Sequence, residues 1–224
     1  MAIREHFEKK GTELPKFADF KIQIKGMFAL LFSGGILTWI WVTDAVGNTS
    51  YNLVGDLFPI YLSRVGSLNL EQIGWVNSSR GLAIIAASFA AGWLVDKISE
   101  RAVIVGGFLL QGIGIVSILY AESYAAFIVS MLIFGLGTAG LIPAYESLVS
   151  KVVPESKRGL AFGFFGTTSG ILSLPMPWLG TQMWERFTPQ TPFWFSVIAC
   201  AISMPIAWFK FVIKNNQPAD TPNG

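Results

Sequence analysis

Six long apolar runs, separated by short polar segments, decide what this chain can fold into. They extend from Met27 to Leu62, Ile73 to Val95, Ala102 to Tyr120, Tyr124 to Val149, Leu160 to Met183 and Phe193 to Ile213. An α-helix rises about 1.5 Å per residue and a bilayer's hydrocarbon core is ~30 Å thick, so about 20 apolar residues make one crossing. Six crossings use roughly 120 apolar residues, and 52% of the 224 residues are hydrophobic. Only 13% are charged, about half the usual share, too few to cover a water-facing surface of this size. A soluble enzyme domain, a nucleic-acid binder and a disordered chain are excluded. The expectation is an all-α membrane protein with six transmembrane helices in residues 27–213. A cytoplasmic segment, 1–26, precedes them and a cytoplasmic tail, 214–224, follows.

The basic residues set the orientation. With the N-terminus inside, Arg4, Lys9, Lys10, Lys16, Lys21, Lys25, Lys97, Arg101, Lys151, Lys157, Arg158, Lys210 and Lys214 all fall on the cytoplasmic side, 13 of 16. That bias places both termini in the cytoplasm. Residues 1–26 hold no long apolar stretch and do not read as a secretory signal. The single cysteine, Cys200, sits in an apolar run and reads as a packing residue. The single histidine, His6, lies near the terminus. A zinc site or a histidine-based triad is therefore not expected, no nucleophile–base set is visible, and no cofactor is called for. The glycines of spans four and five (Gly135, Gly137, Gly140; Gly163, Gly166, Gly170) read as close-packing faces, because no Lys-Ser/Thr follows them to make a phosphate loop.

The first run is too long. Its 36 residues would make a helix of about 54 Å. Either the chain breaks near Gly47-Asn48-Thr49-Ser50, as helices lining transport sites often do, or the two ends extend beyond the hydrocarbon as interfacial pieces.

Few ionisable residues lie at membrane depth, where they are costly and mark function by default. Asp44 and Asp56 are in the first span, Arg80 is in the second and Glu146 is near the inner end of the fourth. Asp56 and Arg80 each lie about 10 Å inside the outer boundary. Because consecutive antiparallel helices are usually neighbours, the two are expected to neutralise one another, as a structural pair or as an outer gate. Asp44 has no evident partner; it either holds a proton near the midplane or caps a following helical segment close to water. Glu146 is expected to pair at the cytoplasmic surface with nearby Lys151, Lys157 or Arg158.

Between spans two and three stands Gly92-Trp93-Leu94-Val95-Asp96-Lys97-Ile98-Ser99-Glu100-Arg101. It resembles the loop motif of the major facilitator superfamily, G-x-L-x-D-[RK]-x-G-[RK]-[RK]. Gly92, Leu94, Asp96, Lys97 and Arg101 match, while Ser99 replaces a glycine and Glu100 a base. Phe58-Pro59-Ile60-Tyr61-Leu62 with Leu68-Asn69-Leu70-Glu71-Gln72-Ile73-Gly74 is similar to that family's first outer loop. Pro154-Glu155-Ser156-Lys157-Arg158-Gly159 is similar to the start of its fifth or eleventh helix.

The resemblance covers about residues 27–213. It implies one six-helix half of a twelve-helix secondary transporter that moves a small molecule by alternating access in the plasma or bacterial inner membrane. The weakened motif, and the lack of an arginine between Tyr124 and Val149, are more similar to a C-terminal half. Gly92, Asp96, Lys97 and Arg101 would then form a latch between halves, with Glu100 pairing locally to Arg101 or Lys97. Glu146 and Arg158 would lie at the cytoplasmic interface, and Asp44, Asp56 and Arg80 along the substrate or ion pathway. The missing partner would be a second six-helix half or another copy of the chain. The alternative is a membrane scaffold that keeps the fold without transporting.

Overall fold

The computed structural model describes Phe28 and residues 34–212. The segment 1–26, the tail 214–224 and the Asp96 side chain lie outside the described residues. Among residues 34–212 the chain is helical, with no strand. The elements are α1 (Ile36–Gly55), α2 (Leu57–Arg64), α3 (Leu70–Lys97), α4 (Glu100–Leu119), α5 (Tyr124–Val152), α6 (Glu155–Ser173), α7 (Met176–Arg186) and α8 (Thr191–Lys210). Among the described residues, four stretches are long and apolar enough to cross a membrane: Glu100–Leu119, Tyr124–Val152, Glu155–Arg186 and Thr191–Lys210.

Local chemistry sets the helix boundaries. Asn69 and Gln72 form a reciprocal capping box at α3, the Asn69 Oδ1 accepting from the Gln72 N–H at 2.9 Å and the Gln72 Oε1 from the Asn69 N–H at 3.0 Å. Ser99 and Ser123 cap α4 and α5 by accepting from the N–H groups of Ala102 and Ala126. Thus Ser99, where the family motif prefers glycine, starts a helix. The α6–α7 break follows from two prolines. Pro175 and Pro177 offer no N–H to the carbonyls of Ile171 and Ser173, and the Leu174 N–H instead bonds back to Gly170 and Ile171.

The first span is interrupted, but not at Gly47–Ser50. Helix α1 runs unbroken to Gly55, and Asp56 is the one-residue joint to α2. The polar residues at the expected break bond to their own helix. Asn48 donates to the Asp44 carbonyl at 3.0 Å, Asn52 to that of Asn48 at 2.8 Å, and Thr49 to that of Ala45 at 2.7 Å. They therefore leave the ladder intact. The break comes from Pro59, whose ring crowds the carbonyl four residues back, that of Gly55.

The helices pack by an inside-out rule. Along α8 the buried positions are Phe193, Ser196, Cys200, Ser203 and Ala207, mostly small, whereas Phe195, Ile198, Ile202 and Phe209 point outward. Large apolar side chains on the outside suit lipid rather than water, and small ones inside let backbones approach. One close approach joins α4 and α5. A Cβ on Gly137 would meet the Gly107 carbonyl oxygen at 2.6 Å, and one on Gly114 would meet the Phe134 backbone at 2.8 Å. The expected close-packing glycines of α5 are thus used inside the unit. Those of α6 are not, because a Cβ on Gly163, Gly166 or Gly170 would meet nothing within 4 Å.

Helix α5 carries α4 on one side and α3 on another. Helix α8 lies between α4 and α1, and α6 and α7 lean on α1. The α1 and α3 backbones do not meet. This arrangement leaves a cavity beside α1.

Candidate functional site

The cavity has a volume of about 820 Å³ and is walled by α1, α4, α5, α6 and the start of α7. Helix α1 supplies a polar stripe, Asp44, Asn48 and Asn52, at four-residue spacing. Such spacing puts the three on one face, with Thr43 and Tyr51 flanking them. Asp44 stands about 12 Å along α1, half-buried, and its Oδ2 accepts a hydrogen bond from the Ser169 hydroxyl of α6 at 3.1 Å. Across the cavity Glu146 of α5 is exposed to the same space. Among the described residues the lining contains these two carboxylates and no lysine, arginine or histidine. In a low-dielectric surround, such a wall favours a cation.

The remaining polar groups are positioned by internal bonds. Tyr145 of α5 donates to the Thr43 hydroxyl at 2.9 Å, which in turn donates to the Trp39 carbonyl at 2.9 Å. Gln111 of α4 donates to Thr138 of α5 at 3.0 Å. Trp41 donates to Thr168 at 2.8 Å, and Ser196 to the Ser50 carbonyl at 3.0 Å, tying α1 to α6 and to α8. The Ser173 hydroxyl oxygen, also in the lining, is buried and has no hydrogen-bond partner among the described residues. Phe108, Phe162 and Phe165 close the apolar part of the wall.

The site residues expected from sequence divide. Asp44 is on the cavity. Asp56 is not; it is exposed at the α1–α2 joint and makes no ion pair among the described residues. The expected Asp56–Arg80 pair is absent: Asp56 is exposed at the joint, and Arg80 turns to Tyr51 of α1 instead. Arg80 is half-buried and donates from Nη1 to the Tyr51 hydroxyl at 3.1 Å, its guanidinium 5.9 Å from the Tyr51 ring centre. It thus reaches a residue of the cavity wall without itself lining the wall.

Glu146 is not ion-paired at the surface either. Lys151 pairs with Glu100, which is buried and also accepts from the Ser147 hydroxyl at 2.9 Å. Glu100 therefore bridges to α5 rather than to Arg101 or Lys97. Arg158 caps the end of α5, its Nε donating to the Val153 carbonyl at 3.2 Å and its Nη2 to that of Ser150 at 2.7 Å. Within the loop motif, Lys97 is exposed and a Cβ on Gly92 would meet open space. Arg101 lies over Trp208 of α8, 4.7 Å from the ring centre.

Asn48, Asn52, Tyr51 and Tyr145 belong to the cavity and were not foreseen, although the four-residue spacing of Asp44, Asn48 and Asn52 was a readable signal. Of Asn77, Gln111, Thr167, Thr168 and Ser169, the polar residues of the apolar runs that could face a cavity, Gln111 and Ser169 line it and Asn77, Thr167 and Thr168 do not.

The family model of the Major Facilitator Superfamily matches residues 26–224. The chain is 25% identical to Multidrug resistance protein 3 of Bacillus subtilis over 193 residues, 86% of this chain and 35% of that protein. It is 35% identical to Multidrug resistance protein MdtH of Aeromonas hydrophila over 109 residues, 46% of this chain and 28% of that protein. Among solved structures, the POT family transporter PepTSo superposes with a TM-score of 0.69 at 16% identity, over 83% of this chain and 39% of that one. The human organic anion transporter MFSD10 superposes with a TM-score of 0.61 at 15% identity, over 79% and 47%. The chain spans half or less of the length of each of these proteins. Family match, helical fold and shared architecture agree: the chain belongs to the major facilitator superfamily, whose members are membrane transporters.

Proposed function

We propose that this chain is one six-helix wall of a secondary transporter that moves a small organic cation, or a base that binds as its cation, by alternating access. The observation that carries this reading is the pair of cavity carboxylates, Asp44 and Glu146, neither of which is ion-paired among the described residues. A scaffold that had lost transport would gain nothing from keeping two uncompensated carboxylates at that depth. In this reading α1–α2, α3, α4, α5, α6–α7 and α8 are the six passes. The basic ends containing Lys97, Arg101, Lys151 and Lys210 face the cytoplasm of a cell or inner membrane. The open glycines of α6 fit the approach of a second six-helix unit, supplied by another chain segment or by a second copy. Arg80 and Tyr51 mark the outer end of the pathway, while Gly92, Asp96, Lys97 and Arg101 form the cytoplasmic latch.

Tetraphenylphosphonium is a suitable probe, being a permanent cation of cavity size. Its binding to the chain in nanodiscs, measured by scintillation proximity, is expected to fall about ten-fold in Asp44→Asn and in Glu146→Gln, the scale of one lost charge contact in a poorly screened site. Binding that is equal in all three proteins, or no greater than in empty nanodiscs, would remove the acidic-cavity reading.

A further inference from the structure

At the cytoplasm-directed end of α8, two cations, Arg101 of α4 and Lys210 of α8, rest on indole rings instead of carboxylates. Arg101 lies 4.7 Å from the Trp208 ring centre, and the Lys210 Nζ lies 5.1 Å from that of Trp39. Neither makes an ion pair among the described residues; the ion pair at this end belongs to Lys151 and Glu100. A cation over a ring face is held in place electrostatically while its N–H donors stay available. Trp208 and Lys210 are two residues apart, so they point to opposite flanks of α8. One cation therefore sits where α8 meets α4, and the other where α8 meets α1.

The outward stripe of α8 leads into this pair. Phe195, Ile198, Ile202 and Phe209 are 55%, 51%, 55% and 73% exposed. The stripe is about 21 Å long at 1.5 Å per residue, more than the ~15 Å of one leaflet's hydrocarbon. Acyl-length apolar surface ending at two fixed, unpaired cations is complementary to a molecule with hydrocarbon at one end and a phosphate at the other. We infer that α8, with Arg101 and Lys210, forms a binding site for an anionic phospholipid of the phosphatidylglycerol class. A free phosphate would use the cations but leave the stripe idle, and a zwitterionic lipid would bring its own cation into the same place.

The test is native mass spectrometry of the chain released from nanodiscs that contain equal amounts of phosphatidylglycerol and phosphatidylcholine. The wild type is expected to retain phosphatidylglycerol preferentially. The preference should fall about five-fold in each of Arg101→Gln and Lys210→Gln, the effect of one near-surface charge on an anionic lipid. Lys157→Gln, an exposed lysine outside this pair, should leave it unchanged. Should a variant fail to fold, the wild type alone decides through its thermal midpoint, which phosphatidylglycerol should raise and phosphatidylcholine should not. An equal retention of both lipids, a midpoint indifferent to headgroup, or an equal loss in Lys157→Gln would overturn the site.

Discussion

Lys151, near the end of α5, forms an ion pair with Glu100, at the start of α4, and Glu100 is buried while the lysine is largely exposed. The asymmetry gives the two substitutions different costs. Lys151→Ala leaves a buried carboxylate with no cation beside it, held by the Ser147 hydroxyl and a backbone N–H, whereas Glu100→Gln leaves a lysine that water can solvate. Lys151→Ala is expected to destabilise by about 2 kcal/mol and Glu100→Gln by about 1 kcal/mol or less. Thermal unfolding in a single detergent measures both, and the reverse order would contradict the burial argument.

The glycines predict opposite outcomes on neighbouring helices. Gly137→Ala places a methyl against the Gly107 carbonyl and the Gln111 backbone nitrogen, atoms that cannot yield without moving a helix. A loss of about 1–3 kcal/mol is expected. Gly163→Ala meets open space and should be neutral or stabilise by up to about 1 kcal/mol, the helical advantage of alanine over glycine. If a second six-helix unit covers α6, the same Gly163→Ala should nevertheless lower transport by the assembled protein. Unfolding of the single chain and uptake by the assembly are separate readouts of those two effects.

Arg80 should couple to Tyr51 and not to Asp56. A double-mutant cycle between Arg80→Gln and Tyr51→Phe is expected to give an interaction energy of about 0.5–1 kcal/mol, that of one charge-assisted hydrogen bond at a partly exposed site. The cycle between Arg80→Gln and Asp56→Asn should give less than about 0.3 kcal/mol. The two cycles, measured by the same unfolding assay, decide between the arrangement seen here and an Asp56–Arg80 pair.

Tyr145→Phe removes the hydroxyl that donates to Thr43 and leaves Thr43 bonded to its own helix. Its expected cost is small, about 1 kcal/mol. Thr43→Val strands the Tyr145 hydroxyl at the cavity edge and should cost more. A ranking of the two by unfolding midpoint tests which group depends on the other.

The apolar runs could be read from sequence because bilayer thickness converts directly into a residue count, and each of them appears as a helix or a pair of helices. Neighbour relations could not be read in the same way. Asp56 and Arg80 match in depth, yet α3 chooses α5 and α1 chooses α8, and depth along a helix carries no information about its direction around the bundle. The interruption of the first span shows a second limit. Gly47, Asn48 and Thr49 look like breakers in isolation, but their side chains or backbone are satisfied within the helix, while Pro59 acts four residues upstream of itself. Glu100 was visible as a departure from the loop motif, but its partner, Lys151, is a whole helix hairpin away. Asp44 stood out in the sequence only through the cost expected of a carboxylate at membrane depth. Its neighbours Ser169 and Glu146 became part of the same site only when α5 and α6 were folded against α1.

The joint at Asp56 has a mechanical meaning. A straight helix resists bending because each change of angle strains the ladder. Here Pro59 has no N–H to offer the Gly55 carbonyl, so the ladder is one bond short at this point and resists a change of angle less than its neighbours do. Helix α2 is fastened through Phe58, Tyr61 and Leu62 to the bundle core, while α1 carries Asp44 on the cavity wall. The first span therefore has one compliant point, set between the anchored α2 and the stretch of α1 that carries Asp44. Elastic energy delivered to the span collects there and spares the hydrogen-bonded stretch that holds the carboxylate.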